Sequence, residues 1–273
     1  MNDHLETLVA EARAGSRDSL ERLVVEIQAP VYNLALRMLW HPEDARDAAQ
    51  EILVRVVTHL SAFRGDSRFL TWVYRIAANY LITARRSRVE DQGLTFDGFA
   101  ADLADGQTPL PAGSDEWPAE KALLLEELKV GCMLALLTCL DRPHRMAYIL
   151  GEILELEGPE GARILGISPQ AFRKRLSRAR AAIVGFTRAH CGLVDVDNPC
   201  RCTRRLSRAQ ATGRINADAL LFGRPASARS FPGVLEKVRR LERVQRTAAL
   251  YRATPDADPG PELLARIQAA IDP

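Results

Sequence analysis

The sequence predicts an all-α protein: two small helical domains joined by a flexible linker, the second with a helix-turn-helix, and then a helical C-terminal extension. Three observations lead there. Apolar residues recur at three- and four-residue steps over long stretches. No segment shows the alternation of a half-buried strand. Capping and turn residues punctuate the helical pattern. The chain has 273 residues, with 37 Lys and Arg against 35 Asp and Glu, and five cysteines. This near balance hides a strong sorting of charge along the chain. No run of about 18 or more apolar residues occurs, so no spanning helix is expected. The start, MNDHLETLVAEARAG, lacks the features of a secretory signal. A cytoplasmic location is therefore expected, where cysteines serve as thiols, redox groups or metal ligands rather than as structural disulfides.

The elements follow in order. In DSLERLVVEIQAPVYNLALRML, Leu20, Leu23, Val24, Ile27, Val31, Leu34 and Met38 share one face, with a kink expected at Pro30. The next helix starts at Pro42 and turns Ala49, Ile52, Leu53, Val56, Val57 and Leu60 to one side. In the turn RGDS, Gly65 frees the backbone, and Asp66 or Ser67 is expected to cap the helix after it. RFLTWVYRIAANYLITARRSR then directs Phe69, Leu70, Val73, Ile76, Ala77 and Tyr80 inward. From about Val89 to Pro118 a stretch rich in Gly, Pro and Asp reads as a mobile acidic linker. Periodicity resumes in AEKALLLEELKVGCMLALLTCL, where Cys132 and Cys139 are expected core residues, and continues through RPHRMAYILGEILEL. After HCGLVDVDNPCRC come three helical candidates, around RLSRAQATGRINADALLF, the basic GVLEKVRRLERVQRTAALYR, and PELLARIQAAI. The expected boundaries are 1–88 for the first domain, 89–118 for the linker, 119–186 for the second domain and 187–273 for the extension.

GPEGARIL and SPQAFRKRLSRARAAI have the chemistry of a helix-turn-helix. Gly166 makes the turn, Ser168 caps the second helix and Pro169 occupies its first turn. Phe172, Leu176, Ala179 and Ile183 form a narrow packing stripe. Gln170, Arg173, Lys174, Ser177 and Arg178 are left outside, with Arg175 and Arg180 flanking. A basic helix face is often just a solvated one, but this one has no interleaved acids to pair with. A helix of this kind enters the major groove, where Arg and Lys both read guanine and neutralise phosphate. Gly161, inside the first helix, reads as a local flaw of about 1 kcal/mol against alanine.

The first domain has faces of opposite character. Asp44, Asp47 and Glu51 form an acidic stripe beside Gln50, either a plain solvent face or a docking surface for a basic protein. On the next helix Arg68, Trp72, Arg75, Asn79 and Arg86 line the side away from the core. An indole among arginines suits stacking on unpaired bases at about 1–3 kcal/mol each, although it equally suits packing on a neighbouring helix. The loop FRGDSRF, with Arg64, Asp66, Ser67 and Arg68, could cradle an extruded base.

With DARDAAQEILVRV, FRGDSRFLTWVYRIAANYL and ARILGISPQAFRKRLSRARAAI in this order, the chain resembles a bacterial RNA polymerase sigma factor of the extracytoplasmic-function (ECF) type over roughly residues 15 to 185. The resemblance implies that the helix with Asp44, Asp47, Gln50 and Glu51 docks on the core polymerase. It implies that Arg64, Asp66, Ser67, Arg68, Trp72, Arg75, Asn79 and Arg86 recognise and open the −10 promoter element. It gives the −35 duplex to Ser168, Gln170, Arg173, Lys174, Arg175 and Arg178, and it admits an anti-sigma partner or self-regulation by the extension. Two departures stand out: Arg46 replaces a usual acid, and Gly161 a usual apolar residue.

The resemblance leaves the extension unexplained. His190, Cys191, Cys200 and Cys202 crowd together there, and three readings stand: a tetrahedral zinc site, thiolates made reactive by Arg201, Arg204 and Arg205, or a merely structural cluster. No cofactor is otherwise required. A helix-turn-helix regulator that never binds polymerase is the alternative function. Catalysis is not expected, because no paired carboxylates, Gly-rich phosphate loop or nucleophile triad is evident.

Overall fold

The computed structural model describes residues 2–84, 90–105 and 121–271, and among these the secondary structure is helical. The first domain comprises α1 (Asn2–Arg13), α2 (Arg17–Leu39), α3 (Pro42–Thr58) and α4 (Phe69–Thr83). Ser16 caps α2 by accepting from the Ser19 N–H at 3.2 Å. Pro30 does not end this helix, which runs as one element to Leu39. Pro42 opens α3, where the His41 ring nitrogen accepts from the Glu43 N–H. The cap of α4 differs from the expectation. Neither Asp66 nor Ser67 caps it; Glu6, reaching over from α1, accepts from the Phe69 N–H at 2.7 Å. A carboxylate there also complements the positive end of the helix.

The second domain holds α6 (Ala122–Thr138), α7 (Arg142–Tyr148), which continues into a π turn over Ile149–Ile153, α8 (Gly158–Leu165) and α9 (Pro169–His190). The acidic stretch between the domains is not all loose linker. It contains α5 (Phe96–Ala104), whose Phe99 stacks on Phe186 of α9 at 5.5 Å with planes 9° apart. Phe99 and Leu103 supply the apolar positions that the Gly and Asp content conceals. Residues 106–120 lie outside the described residues.

The two domains do not stand apart. One core runs from α1 through α9, with Ile27, Leu53, Phe69, Tyr148 and Phe172 all fully enclosed. Arg145 stitches it together, bonding to Met38 of α2, to the end of α6 and to Glu90. Trp40 adds a second stitch. It ends α2 with φ of 69°, a conformation that costs a non-glycine residue about 1–3 kcal/mol. Its indole N–H donates to the Gly131 carbonyl at 2.8 Å, and its ring meets Phe222 edge-on, which holds it there.

The extension forms α10 (Cys202–Ala211), α11 (Pro225–Arg239), α12 (Arg243–Arg252) and α13 (Pro261–Ile271). The basic segment expected as one helix is split between α11 and α12, with Leu241 and Glu242 in the break, and α11 starts earlier, at Pro225. Glu127 of α6 anchors the connection before α11 by accepting the backbone N–H groups of Leu221, Phe222 and Gly223 at 2.6–3.0 Å.

Gly161 is not a flaw. A Cβ there would overlap three ring carbons of Phe172, the farthest at 2.9 Å, so glycine is what lets α9 seat its aromatic under α8. Gly161→Ala should therefore lower stability by about 1–3 kcal/mol in urea unfolding, although alanine is the better helix former. A gain in stability would show that the ring has room to move.

Candidate nucleic-acid interface

The turn between α8 and α9 is built as its residues require. Gly166 adopts φ of 62°, which glycine takes without steric cost, and its N–H together with that of Ile167 closes onto the last turn of α8. Ser168 then accepts from the Ala171 N–H at 3.2 Å and starts α9. Phe172, Ala179 and Ile183 are buried against the core. Ser168, Gln170, Arg173, Lys174 and Arg178 are exposed, and Arg175 is half-buried. Arg180 is turned to a neighbour instead, its guanidinium binding Glu152 with Nε at 3.0 Å from the carboxylate. The sequence-predicted reading face is thus assembled on one helix.

On α4, Arg75 and Asn79 are exposed, as are Arg64, Asp66 and Arg68 in the preceding loop, while Ser67 is half-buried. Trp72 is half-buried. One side packs on Phe63 and Phe69, with centroids 5.5 and 5.6 Å away, while the residue keeps part of its surface open. It borders a cavity of about 160 Å³ shared with Arg64, Ser67, Arg75 and Arg163. Arg163 was not among the sequence candidates; it reaches this site from α8 because the two domains meet here. Thr71 donates to Glu160 across the same contact. Arg86 lies outside the described residues.

On α3, Asp47 and Glu51 are exposed and Asp44 and Gln50 half-buried, so the acidic stripe exists as a face. Arg46 is drawn to Glu43 one turn earlier, and this hydrogen bond raises its pKa further.

The cysteines are arranged differently from the expectation. Cys191, Cys200 and Cys202 border one small apolar cavity together with Cys132 of α6. His190 is not part of this lining; its ring lies against Phe186 at 4.7 Å. Among the described residues no group of three or more His, Cys, Asp or Glu is disposed to hold a metal ion. Burial pushes Cys191 up to about 11, even though the N–H groups of Leu193 and Val194 pull it down, and it drives Cys132 and Cys202 up as well. Arg201 lowers Cys191 and Arg205 lowers Cys132, but burial outweighs both. Arg201 donates to backbone carbonyls of the Cys200 loop, and Arg205 pairs with Asp102 at 2.7 Å.

Comparison with known proteins identifies the family. Residues 23–90 match the family model for Sigma-70 region 2, and residues 131–183 match that for Sigma-70, region 4. The chain is similar to the ECF RNA polymerase sigma-E factor of Escherichia coli, 32% identical over 183 residues, covering 65% of this chain and 91% of that protein. The chain belongs to the ECF RNA polymerase sigma factors. It is also similar to the RNA polymerase sigma-H factor of Pseudomonas aeruginosa, 30% identical over 179 residues, 64% of this chain and 90% of the relative. A solved structure, CnrH in complex with the cytosolic domain of CnrY, aligns with a TM-score of 0.45 at 25% identity over 66% of this chain and 94% of that one. In this sigma factor the region 4 match includes the helix-turn-helix and stops at Ile183, inside α9. The region 2 match takes in α3 and α4, and α10 to α13 lie beyond both matches. No helix among the described residues is long and apolar enough to cross a membrane.

Proposed function

We propose that this sigma factor directs the RNA polymerase core enzyme to specific promoters and promotes DNA opening at initiation, acting in the cytoplasm without catalysis of its own. In this reading α9 enters the major groove of the −35 element, where Arg173, Lys174 and Arg178 contact base edges and phosphates while Ser168 and Gln170 set the register. The loop before α4, with Trp72, Arg75 and Asn79, takes the −10 element, holding separated bases against the indole and the phosphates against the arginines. Asp44, Asp47, Gln50 and Glu51 on α3 meet the polymerase. The observation that carries the reading is the pairing, in one chain, of an exposed basic recognition helix with a region 2 domain that presents an indole, arginines and an acidic stripe. A simple helix-turn-helix regulator has no need of that second module.

Run-off transcription with core polymerase on a promoter found by transcript start mapping tests the proposal directly. Within it, Arg173→Ala or Arg178→Ala should each weaken binding to −35 duplex by about 1–3 kcal/mol where the side chain reads a base. For every phosphate no longer neutralised, the log–log salt dependence should also flatten by about 0.9 in slope. Unchanged affinity and unchanged slope would take α9 off the DNA.

A further inference from the structure

The last helix of the extension packs along α3 and reaches the acidic stripe at Asp47. α13 packs on α3 and α2, and its Leu263 and Ile267 are fully buried in the core that those helices form. Arg266, one turn after Leu263 and next to Ile267, pairs with Asp47 at 2.7 Å. At the other end of the contact Glu262 lies close enough to Arg46 to favour its charged form. The amide oxygen of Gln50 is shut off from solvent without a hydrogen-bond partner. The segment leading into α13 is pinned as well. Asn33 of α2 donates to the Ala257 carbonyl at 2.9 Å and accepts from its N–H at 2.7 Å, and Arg37 binds Asp256 at 2.8 Å.

We propose that residues 256–267 form an intramolecular seal over the docking face of α3, so that this chain competes with the polymerase for its own region 2. The inference rests on the assignment of Asp44, Asp47, Gln50 and Glu51 to polymerase docking. The occupant is identified by what it already does in this chain: Leu263 and Ile267 are buried against α3 and α2, Arg266 pairs with Asp47 of the acidic stripe, and Asn33 and Arg37 hold the segment that leads in. An ion pair at one fixed position beside the apolar pair sets register as well as contact. Polymerase can bind only molecules in which α13 has lifted, so its apparent affinity is its intrinsic affinity multiplied by the fraction of molecules in that state.

The test uses the full chain and purified core polymerase, with equilibrium binding measured for wild type, Arg266→Glu and the double variant Leu263→Asp/Ile267→Asp. Arg266→Glu removes a half-exposed ion pair and should bind about threefold more tightly. The double variant removes the apolar packing and should bind at least about tenfold more tightly. A synthetic peptide spanning residues 256–271, added in excess, should bring the double variant back toward wild type. Circular dichroism checks its fold, and Arg266→Glu, a surface change, keeps the test in force if the double variant does not fold. Equal affinities for wild type and variants overturn the seal and leave the sigma assignment standing, as does weaker binding by the variants. Absence of binding by all three proteins overturns the sigma assignment itself, and this inference with it.

Discussion

Arg145→Ala should cost about 3–5 kcal/mol in urea unfolding, the loss expected when one partner of a buried charge network is removed. Arg145 is 2% exposed, and its guanidinium serves the ends of two helices at once. Nε donates to the Leu137 carbonyl at 3.0 Å, and Nη2 to Thr138 at 3.2 Å and Leu140 at 2.9 Å, where α6 ends. Nη1 donates to the Met38 carbonyl in the last turn of α2 and to Glu90 at 2.9 Å. Terminal carbonyls have no partner within their own helix and carry the negative end of its dipole, so one cation satisfies both needs. Burial pulls the Arg145 pKa down and Glu90 pulls it back up. Arg145→Lys should rescue little, because an ammonium has three donors on one atom and cannot span acceptors set around a planar fork. Recovery of wild-type stability by lysine would show that charge alone matters.

Lys129→Met should be nearly as damaging, about 3–5 kcal/mol, because it strands Glu126 without its cation in the interior. Glu126 is wholly buried and Lys129 is 2% exposed; the two are joined at 2.8 Å, and the ammonium sits 3.8 Å from the centre of the Phe231 ring. Burial lowers the Lys129 pKa while Glu126 raises it. The double variant Glu126→Leu/Lys129→Met should recover most of the loss, since replacing a buried pair by apolar residues of similar volume is often neutral or better. Calorimetry of the two singles and the double completes the cycle, and strict additivity would show that the residues do not act as a pair.

These two sites mark where the sequence was opaque. The helices of the first domain were legible because their apolar faces follow the helical period, as Leu23, Ile27, Leu34, Ile52 and Leu53 do, and all of these are buried. The α8–α9 turn was legible because Gly166, Ser168 and Pro169 each act locally. Burial of charge is not a local property. Glu126, Glu127 and Lys129 sit in a polar-looking stretch of α6 and are covered only because α10, α11 and the loop before α11 come to rest on them. Glu6 as a cap and Arg145 as a clasp likewise depend on residues dozens of positions away. Gly161 looked costly for the same reason, since its benefit lies in the ring of Phe172. For Cys191 too the nearby Arg201 was legible in the sequence, while the burial that raises its pKa was not.

The grip of Glu127 on the Leu221–Gly223 backbone has a practical consequence for dissecting this protein. The stretch that relatives share and the stretch that holds together as a folded body have different lengths. Cutting the chain where region 4 ends would bare a carboxylate, an ammonium and the apolar side of α6 to water in one stroke. A shortened product would then report collapse rather than deregulation, and only point changes on α13 separate the two.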